Sequence, residues 1–208
     1  MSKKLQVPFF RPALQDQEVN EVVETLRSGW LTSGPKVKRF EEEFAANVGA
    51  TNAVAVNSCT AALHLAVEAL GLKAGEGVLV PTMTFAATAE VVRYQGAIPI
   101  LVDCDPETLN LDLDDAARKL AGAKSSSKGS MNVVGLMPVH VGGLLMDLDR
   151  LKKFAKTNKL WMVEDAAHAF PAGWRQNGAG PWQHRSNGPS TVTCYSFYAN
   201  KTITTGIK

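Results

Sequence analysis

Residues 77–102 read GVLVPTMTFAATAEVVRYQGAIPILV, and this stretch is the clearest indication of the fold class. It contains two short apolar runs, Val78–Val80 and Ile98–Val102, with a helical stretch, Ala86–Tyr94, between them. Apolar runs without polar alternation are typical of strands that helices cover on both faces. A strand, a helix and a second strand in this order predict a parallel pair joined by a right-handed crossover. The stretch therefore predicts an α/β fold.

The same alternation continues on both sides of this stretch. The further predicted strands are Ala53–Val56, Val133–Pro138, Leu160–Val163 and Thr191–Tyr195. The further predicted helices are Ala61–Leu70, Leu113–Leu120 and Leu148–Thr157, preceded by a helix from an Asp16 cap to Gly29 and another from Pro35 to Gly49. Two polar stretches, Lys124–Ser130 and Pro171–Ser190, predict loops. We therefore expect a mostly parallel sheet with helices on both faces.

The composition excludes several classes of protein. The chain has 208 residues, of which 45% are hydrophobic and 20% charged, so it is globular rather than disordered. A net charge of +2 gives no indication of a nucleic-acid or membrane partner. No apolar run approaches the ~18 residues of a membrane-spanning helix. The cysteines are too scattered for a disulfide framework or a metal site: Cys59, Cys104 and Cys194. We expect a cytoplasmic protein without a bound metal.

A phosphate site is predicted after the first strand. Parallel strands bring their carboxyl ends to one edge of the sheet, where ligands of open α/β sheets bind. There, Ser58, Thr60 and Ala61 open a helix whose free amides and positive dipole end can bind a phosphate. A plain capping turn is the alternative interpretation.

Side chains able to hold a planar cofactor follow three other strands. Phe85 can stack on a ring, although an aromatic residue here is also typical of a core. Asp165 ends a buried strand, and a protonated pyridine nitrogen would pair its charge; His168 can meet the same ligand. The alternative is a capping aspartate beside a satisfied histidine. Ser196 and Lys201 follow the last strand, where a lysine is either a Schiff-base nucleophile or an ordinary surface charge.

Taken in order, these motifs resemble the DegT/StrS family of sugar aminotransferases, which are pyridoxal-phosphate enzymes of fold type I. The segments that carry the resemblance are Gly29–Gly34, Thr60–Leu63, Thr84–Phe85, Val102–Asp103, Thr108–Asn110, Pro138–His140, Glu164–Ala169 and Ser196–Lys201. The resemblance implies that residues 1–208 form the N-terminal segment and most of the pyridoxal-phosphate-binding large domain. Members are roughly twice this length. We therefore expect the small C-terminal domain to be absent and the chain alone to lack aminotransferase activity.

The resemblance also implies a role for each candidate residue. Lys201 would bind pyridoxal phosphate covalently and move the proton in transamination, while Asp165 would keep the pyridine nitrogen protonated. His168 stands where many members have glutamine and would contact the ring hydroxyl. Phe85 would stack on the ring. The groups implied to bind the phosphate are Thr60, the Ala61 amide and Ser196, beside the Ser58 hydroxyl.

The implied reaction is transfer of an amino group from glutamate to a nucleotide-linked keto sugar, in the biosynthesis of polysaccharide or glycan precursors, by a homodimer. Two alternatives stay open. One is a pyridoxal-phosphate sugar dehydratase of the same family, although some of those enzymes have histidine in place of the lysine. The other is a non-catalytic remnant that binds the cofactor or a full-length partner.

Overall fold

The fold is built around a parallel sheet. The computed structural model describes residues 6–125, 130–175, 183–184 and 191–205. Its strands are β1 Gly77–Pro81, β2 Ile98–Val102, β3 Val133–Leu136, β4 Trp161–Asp165, β5 Gly173–Trp174, β6 Gln183–His184 and β7 Val192–Cys194. Five of them form one sheet in the order β2-β1-β3-β4-β7, all neighbours being parallel. The predicted α/β class and mostly parallel sheet are confirmed.

The helices follow the predicted positions closely. They are α1 Asp16–Ser28, α2 Pro35–Val48, α3 Cys59–Ala69, α4 Ala87–Tyr94, α5 Leu113–Lys124 and α6 Leu148–Asn158. Gly29 and Gly49 end the first two helices with positive φ, a conformation that glycine adopts at low cost. The expected Asp16 cap is wrong: Gln15 precedes the first turn, and its backbone N–H donates to the Glu18 carboxylate at 2.7 Å.

Helices cover the sheet on both faces, as the continuous apolar strands predict. On one face, Val78 and Val80 of β1 pack against α3 and α4. On the other face, Leu79 packs with residues of α5 and α6. Every residue of β1 is buried, so this strand needs no polar alternation. None of the helices in the described ranges is both long and apolar enough to cross a bilayer.

The predicted strand at Ala53–Val56 is wrong. Within the described residues, no strand pairs with this segment, and its Val54 side chain is 77% exposed. Its backbone instead meets α2, where the N–H of Ala55 donates to Glu41 Oε1 at 2.8 Å. The alternation of alanine and valine favours extended backbone, but a strand also requires hydrogen bonds from a neighbouring strand.

The two predicted loops are described only in part. Much of Lys124–Ser130 lies outside the described residues, as does most of Pro171–Ser190. The described part of the second stretch contains a short antiparallel pair, β5 with β6, where Trp174 pairs with Gln183. Trp174 also packs against the core cluster that contains Leu79, as a tryptophan in a polar stretch would suggest.

Candidate functional site

Four elements bring the predicted site residues to the carboxyl edge of the sheet. Asp165 is the last residue of β4, and it lies opposite Cys194, the last residue of the neighbouring β7. Lys201 lies just beyond β7 in a turn, where its backbone N–H donates to the Tyr198 carbonyl at 2.9 Å. The α3 helix packs against both of these strands. Phe85 lies between β1 and α4.

The Asp165 carboxylate is buried and accepts two hydrogen bonds. Asp165 is 5% exposed. Its Oδ2 accepts from the Thr88 hydroxyl at 2.8 Å, and its Oδ1 accepts from the Ala167 backbone N–H at 3.1 Å. The described residues after Asp165 form turns rather than a helix, so Asp165 does not cap a helix here. Its bonds stabilise a carboxylate that would otherwise be costly to bury.

The charges of Asp165 and Lys201 both shift the pKa values of two further titratable groups, Cys59 and His168. The pKa of the Cys59 thiol is raised to about 12, chiefly by burial and next by the negative charge of Asp165, while the positive charge of Lys201 opposes the rise. Burial also lowers the pKa of His168, Lys201 lowers it further and Asp165 raises it. Both charges therefore lie within electrostatic range of Cys59 and His168.

His168 provides a direct test of this arrangement. Because burial and Lys201 disfavour its imidazolium form, we expect its ring to titrate below the ordinary value of 6.5 and to be neutral at pH 7. Lys201→Ala should raise this pKa, and Asp165→Asn should lower it. NMR titration of the ring protons measures both shifts, with Lys156→Ala on α6 as the control that changes an exposed lysine. Equal midpoints in all variants would show that the charges are not near His168.

The predicted phosphate turn forms the first turn of α3. Ser58 precedes the helix, and its Oγ accepts from the Ala61 N–H at 3.1 Å, so the Ala61 amide is engaged by the cap of its own helix. Thr60 lies in the same partly exposed turn. Ser196 accepts from the Tyr198 N–H at 3.3 Å. A phosphate at this position would thus use the helix N-terminus after displacing, or alongside, the Ser58 hydroxyl.

Phe85 is available to a ligand. Its side chain is 78% exposed, which excludes the alternative that this aromatic residue belongs to the core. Its backbone carbonyl accepts from the Thr88 N–H at 3.1 Å, just before α4 begins. Phe85 therefore lies directly before the first turn of α4, which provides the hydroxyl bonded to Asp165.

A group of aromatic side chains supports the segment that carries Ser196 and Lys201. Its rings have centroid separations of 5.1–6.2 Å. The group consists of Phe40 and Phe44 of α2 with Phe170, Tyr195 and Phe197. Offset and edge-to-face aromatic contacts of this kind stabilise packing beyond the buried area alone. They hold the chain after β7 against α2.

His140 and Asn110, from two mid-chain motifs, hold the loop after β3 beside Asp165. His140 donates its backbone N–H to the Asp165 carbonyl, and its fully buried ring pairs with Glu164 at 2.6 Å. Adjacent strand residues point to opposite faces, so Glu164 anchors the loop from the face opposite the Asp165 side chain. Asn110 binds the same loop, accepting from the Val141 N–H at 2.9 Å and donating to the Leu144 carbonyl at 3.0 Å.

Comparison with known proteins shows the family of this chain. Residues 12–207 match the DegT/DnrJ/EryC1/StrS aminotransferase family. The chain belongs to this family. The spore coat polysaccharide biosynthesis protein SpsC of Bacillus subtilis (strain 168) is 42% identical over 200 residues, which cover 96% of this chain and 47% of SpsC. The chain spans about half the length of the curated relatives it matches.

Solved structures of DegT/DnrJ/EryC1/StrS proteins have the same fold. The putative sugar aminotransferase Spr1654 from Streptococcus pneumoniae, in its PMP form, superposes with a TM-score of 0.83 at 31% identity, covering 98% of this chain and 51% of that protein. The 3-amino-5-hydroxybenzoic acid synthase superposes with a TM-score of 0.80 at 34% identity, covering 94% of this chain and 47% of the synthase. The expected fold type I and family are thereby confirmed.

Two site residues of this DegT/DnrJ/EryC1/StrS chain were missed by the sequence analysis. Cys59 follows Ser58 at the start of α3, where a small residue is ordinary in a capping turn. Thr88 lies in the first turn of α4 on its buried face and is 0% exposed, so nothing in the local pattern marks its hydroxyl as a partner of Asp165. A weak signal was present: a buried hydroxyl requires a hydrogen-bond partner, and a helix face otherwise lined by alanine and valine supplies none.

Proposed function

We propose that this chain carries the cofactor-binding half of a sugar aminotransferase that moves an amino group from glutamate to a nucleotide-linked keto sugar, supplying precursors for polysaccharide or glycan synthesis. Family membership supports the aminotransferase. The observation that carries the proposal within the chain is the buried Asp165 carboxylate, whose charge acts together with that of Lys201 on the same two neighbours. A cytoplasmic homodimer is part of the proposal.

Pyridoxal phosphate is the cofactor of this proposed site, in line with the PLP and PMP forms of the pneumococcal neighbour. Its protonated ring would serve as an electron sink for the electrons released when a substrate C–H bond breaks. The residues present fit it. Asp165 would keep a proton on the ring nitrogen, and Lys201 would hold the cofactor covalently and carry the proton between carbon atoms. Phe85 would cover one face of the ring.

His168 would contact the ring hydroxyl. Because the pKa of His168 is lowered, its ring is neutral at pH 7 and one nitrogen is free to accept while the other donates. A neutral imidazole can therefore make the kind of hydrogen bond that the glutamine of other members makes, without adding a charge beside Lys201 and Asp165. That property supports histidine as a replacement at this position.

We expect the cofactor phosphate to bind at the Thr60–Ala61 turn, with Ser196 as a side-chain donor. A hydrogen bond to a charged group contributes about 1.5–3 kcal/mol, so Thr60→Ala and Ser196→Ala should each weaken pyridoxal phosphate binding roughly tenfold or more. The affinity is measured by titration of cofactor absorbance. Thr51→Ala, at an exposed position outside the site, is the matched control.

Pyridoxal, which lacks the phosphate, separates this effect from general damage. Its affinity should be the same in the Thr60→Ala and Ser196→Ala variants as in the unaltered chain. Equal losses for pyridoxal and pyridoxal phosphate, or no loss for either, would contradict a phosphate site at this turn.

The function itself is tested by turnover. The purified chain, and a chimera in which the remaining half of SpsC follows residue 208, are each loaded with pyridoxal phosphate and given glutamate with a panel of nucleotide-linked keto sugars. We expect amino sugar and 2-oxoglutarate in equal amounts from the chimera and none from the chain alone, which spans about half of its relatives. A deoxy sugar formed together with 2-oxoglutarate and free ammonia, and no amino sugar, would indicate the dehydratase, because glutamate then supplies the two electrons that replace a sugar hydroxyl by hydrogen. Cofactor binding without turnover in either protein would indicate a non-catalytic remnant.

A further inference from the structure

The Asp165 carboxylate is tied to a distant element through two threonine hydroxyls. Thr88 lies on the first turn of α4, 77 residues before Asp165, and its hydroxyl is 2.8 Å from Asp165 Oδ2. The Thr84 hydroxyl is 2.7 Å from the Thr88 hydroxyl. An ionised carboxylate only accepts hydrogen bonds, so Thr88 uses its single proton on Asp165. Thr88 then accepts from Thr84, whose single proton lies between the Thr88 oxygen at 2.7 Å and the more distant Phe85 carbonyl at 3.3 Å.

The two bonds to Asp165 have different origins. The Ala167 N–H, at 3.1 Å from Oδ1, belongs to the turn that follows Asp165 and moves with the end of β4. Thr88 belongs to α4, which packs on β1 and α3, so it fixes the carboxylate relative to the rest of the fold. A carboxylate held by one oxygen can rotate about its terminal bond. One held at both oxygens, from two elements, keeps one plane.

Phe85 lies directly before the same turn of α4. The Phe85 carbonyl accepts from the Thr88 N–H, and Thr84 precedes Phe85 directly. A ligand ring stacked on Phe85 and paired with Asp165 would therefore contact two groups whose relative position is fixed by the Thr84 and Thr88 hydrogen bonds. A misplacement of about 1 Å at such a site can cost a large part of the rate, so the relative position of Phe85 and Asp165 has a functional consequence.

We propose that Thr88 is a positioning residue that orients the Asp165 carboxylate toward the ring nitrogen of the cofactor, with Thr84 polarising its hydroxyl. This inference rests on the proposed function, because it requires Asp165 to meet a pyridine nitrogen. It adds a residue that acts only through Asp165 and does not itself contact the cofactor.

The test compares pyridoxal phosphate with 1-deazapyridoxal phosphate, which has carbon in place of the ring nitrogen. Thr88→Val keeps the shape of the side chain and removes the hydroxyl. We expect it to lower the affinity of the 208-residue chain for pyridoxal phosphate roughly tenfold and to leave the affinity for the deaza analogue within about twofold, because only the first ligand offers a partner to Asp165. Thr88→Ser should restore the unaltered affinity.

Three further variants make the result decisive. Thr84→Val, at a partly exposed position, should lower the affinity for pyridoxal phosphate by a smaller factor, roughly threefold, and it addresses the case in which Thr88→Val folds poorly. Thr82→Val, at the same edge of the sheet, is the matched control and should have no effect. In an Asp165→Asn background, Thr88→Val should change neither affinity, because it acts through the carboxylate.

The outcomes separate this proposal from the proposed function. Equal losses for both ligands in Thr88→Val and Thr84→Val, or no loss in either, would overturn the role of Thr88 while leaving Asp165 in place. If the unaltered chain itself binds the two ligands equally, Asp165 does not meet the ring nitrogen, and both the assignment of Asp165 and the role of Thr88 are overturned.

Discussion

Borohydride reduction of the chain incubated with pyridoxal phosphate is expected to attach the pyridoxyl group to Lys201. This lysine lies just beyond β7, at the sheet edge where Asp165 ends β4, and its charge reaches Cys59 and His168. It is only partly exposed, unlike an ordinary surface lysine. Peptide mapping by mass spectrometry identifies the labelled residue. Lys201→Ala should lose the label and, in the SpsC chimera, lower transamination roughly a thousandfold, since this amine carries the proton.

Lysines remote from the sheet edge are the controls for this labelling. Lys156→Ala and Lys159→Ala, at the end of α6, should keep the full label on Lys201. A label on either of these lysines in the unaltered chain would contradict the assignment. Absence of any label, in protein that circular dichroism shows to be folded, would do so as well.

Asp165→Asn is expected to lower transamination by the chimera roughly a hundredfold or more. Asparagine keeps the shape and an oxygen that accepts from Thr88, but a neutral amide cannot hold a full proton on a pyridine nitrogen. The loss of this ion pair removes several kcal/mol of stabilisation where negative charge develops. Cofactor affinity should fall much less than the rate, because the phosphate and Lys201 contacts remain. Single-turnover kinetics with glutamate measures the rate.

Asp149→Asn is the matched control for this carboxylate. Asp149 lies in the first turn of α6 at an exposed position, so its replacement should leave the rate unchanged. Near-normal turnover of Asp165→Asn would show that Asp165 serves only to hold the turn at Ala167.

The sheet could be predicted from the sequence wherever a strand is a continuous apolar run. The predicted Ile98–Val102 coincides with β2, and Val78–Val80 falls within β1, because helices on both faces require uninterrupted apolar runs. The prediction failed at Ala53–Val56, where an apolar run pairs with no strand among the described residues. Its apolar residues satisfy the pattern of a strand, but a strand depends on hydrogen bonds from a neighbour that local sequence does not specify.

The places of Asp165 at the end of β4 and of Lys201 after β7 could be predicted because both residues follow predicted strands, and parallel strands bring such positions to one edge. Thr88 could not be predicted in the same way. Its bond to Asp165 spans 77 residues and depends on how α4 packs on β1 and α3, which no local pattern encodes. The engagement of the Ala61 amide by Ser58 matches the capping turn that was the alternative interpretation, and the sequence could not decide between the two, since free amides and a capped helix start have the same sequence signal.

The unpaired Ala53–Val56 segment leads directly into the Ser58 turn, and this gives the two ends of the proposed site unequal preorganisation. Asp165 is fixed before any ligand arrives, by a central strand and two hydrogen bonds. The phosphate turn follows an exposed segment outside any strand. Ordering one residue of backbone costs about 1–2 kcal/mol, so we expect a ligand to spend more binding energy on conformational entropy at the phosphate end than at Asp165. Any contact that immobilises residues 53–56 would therefore tighten cofactor binding without touching the cofactor.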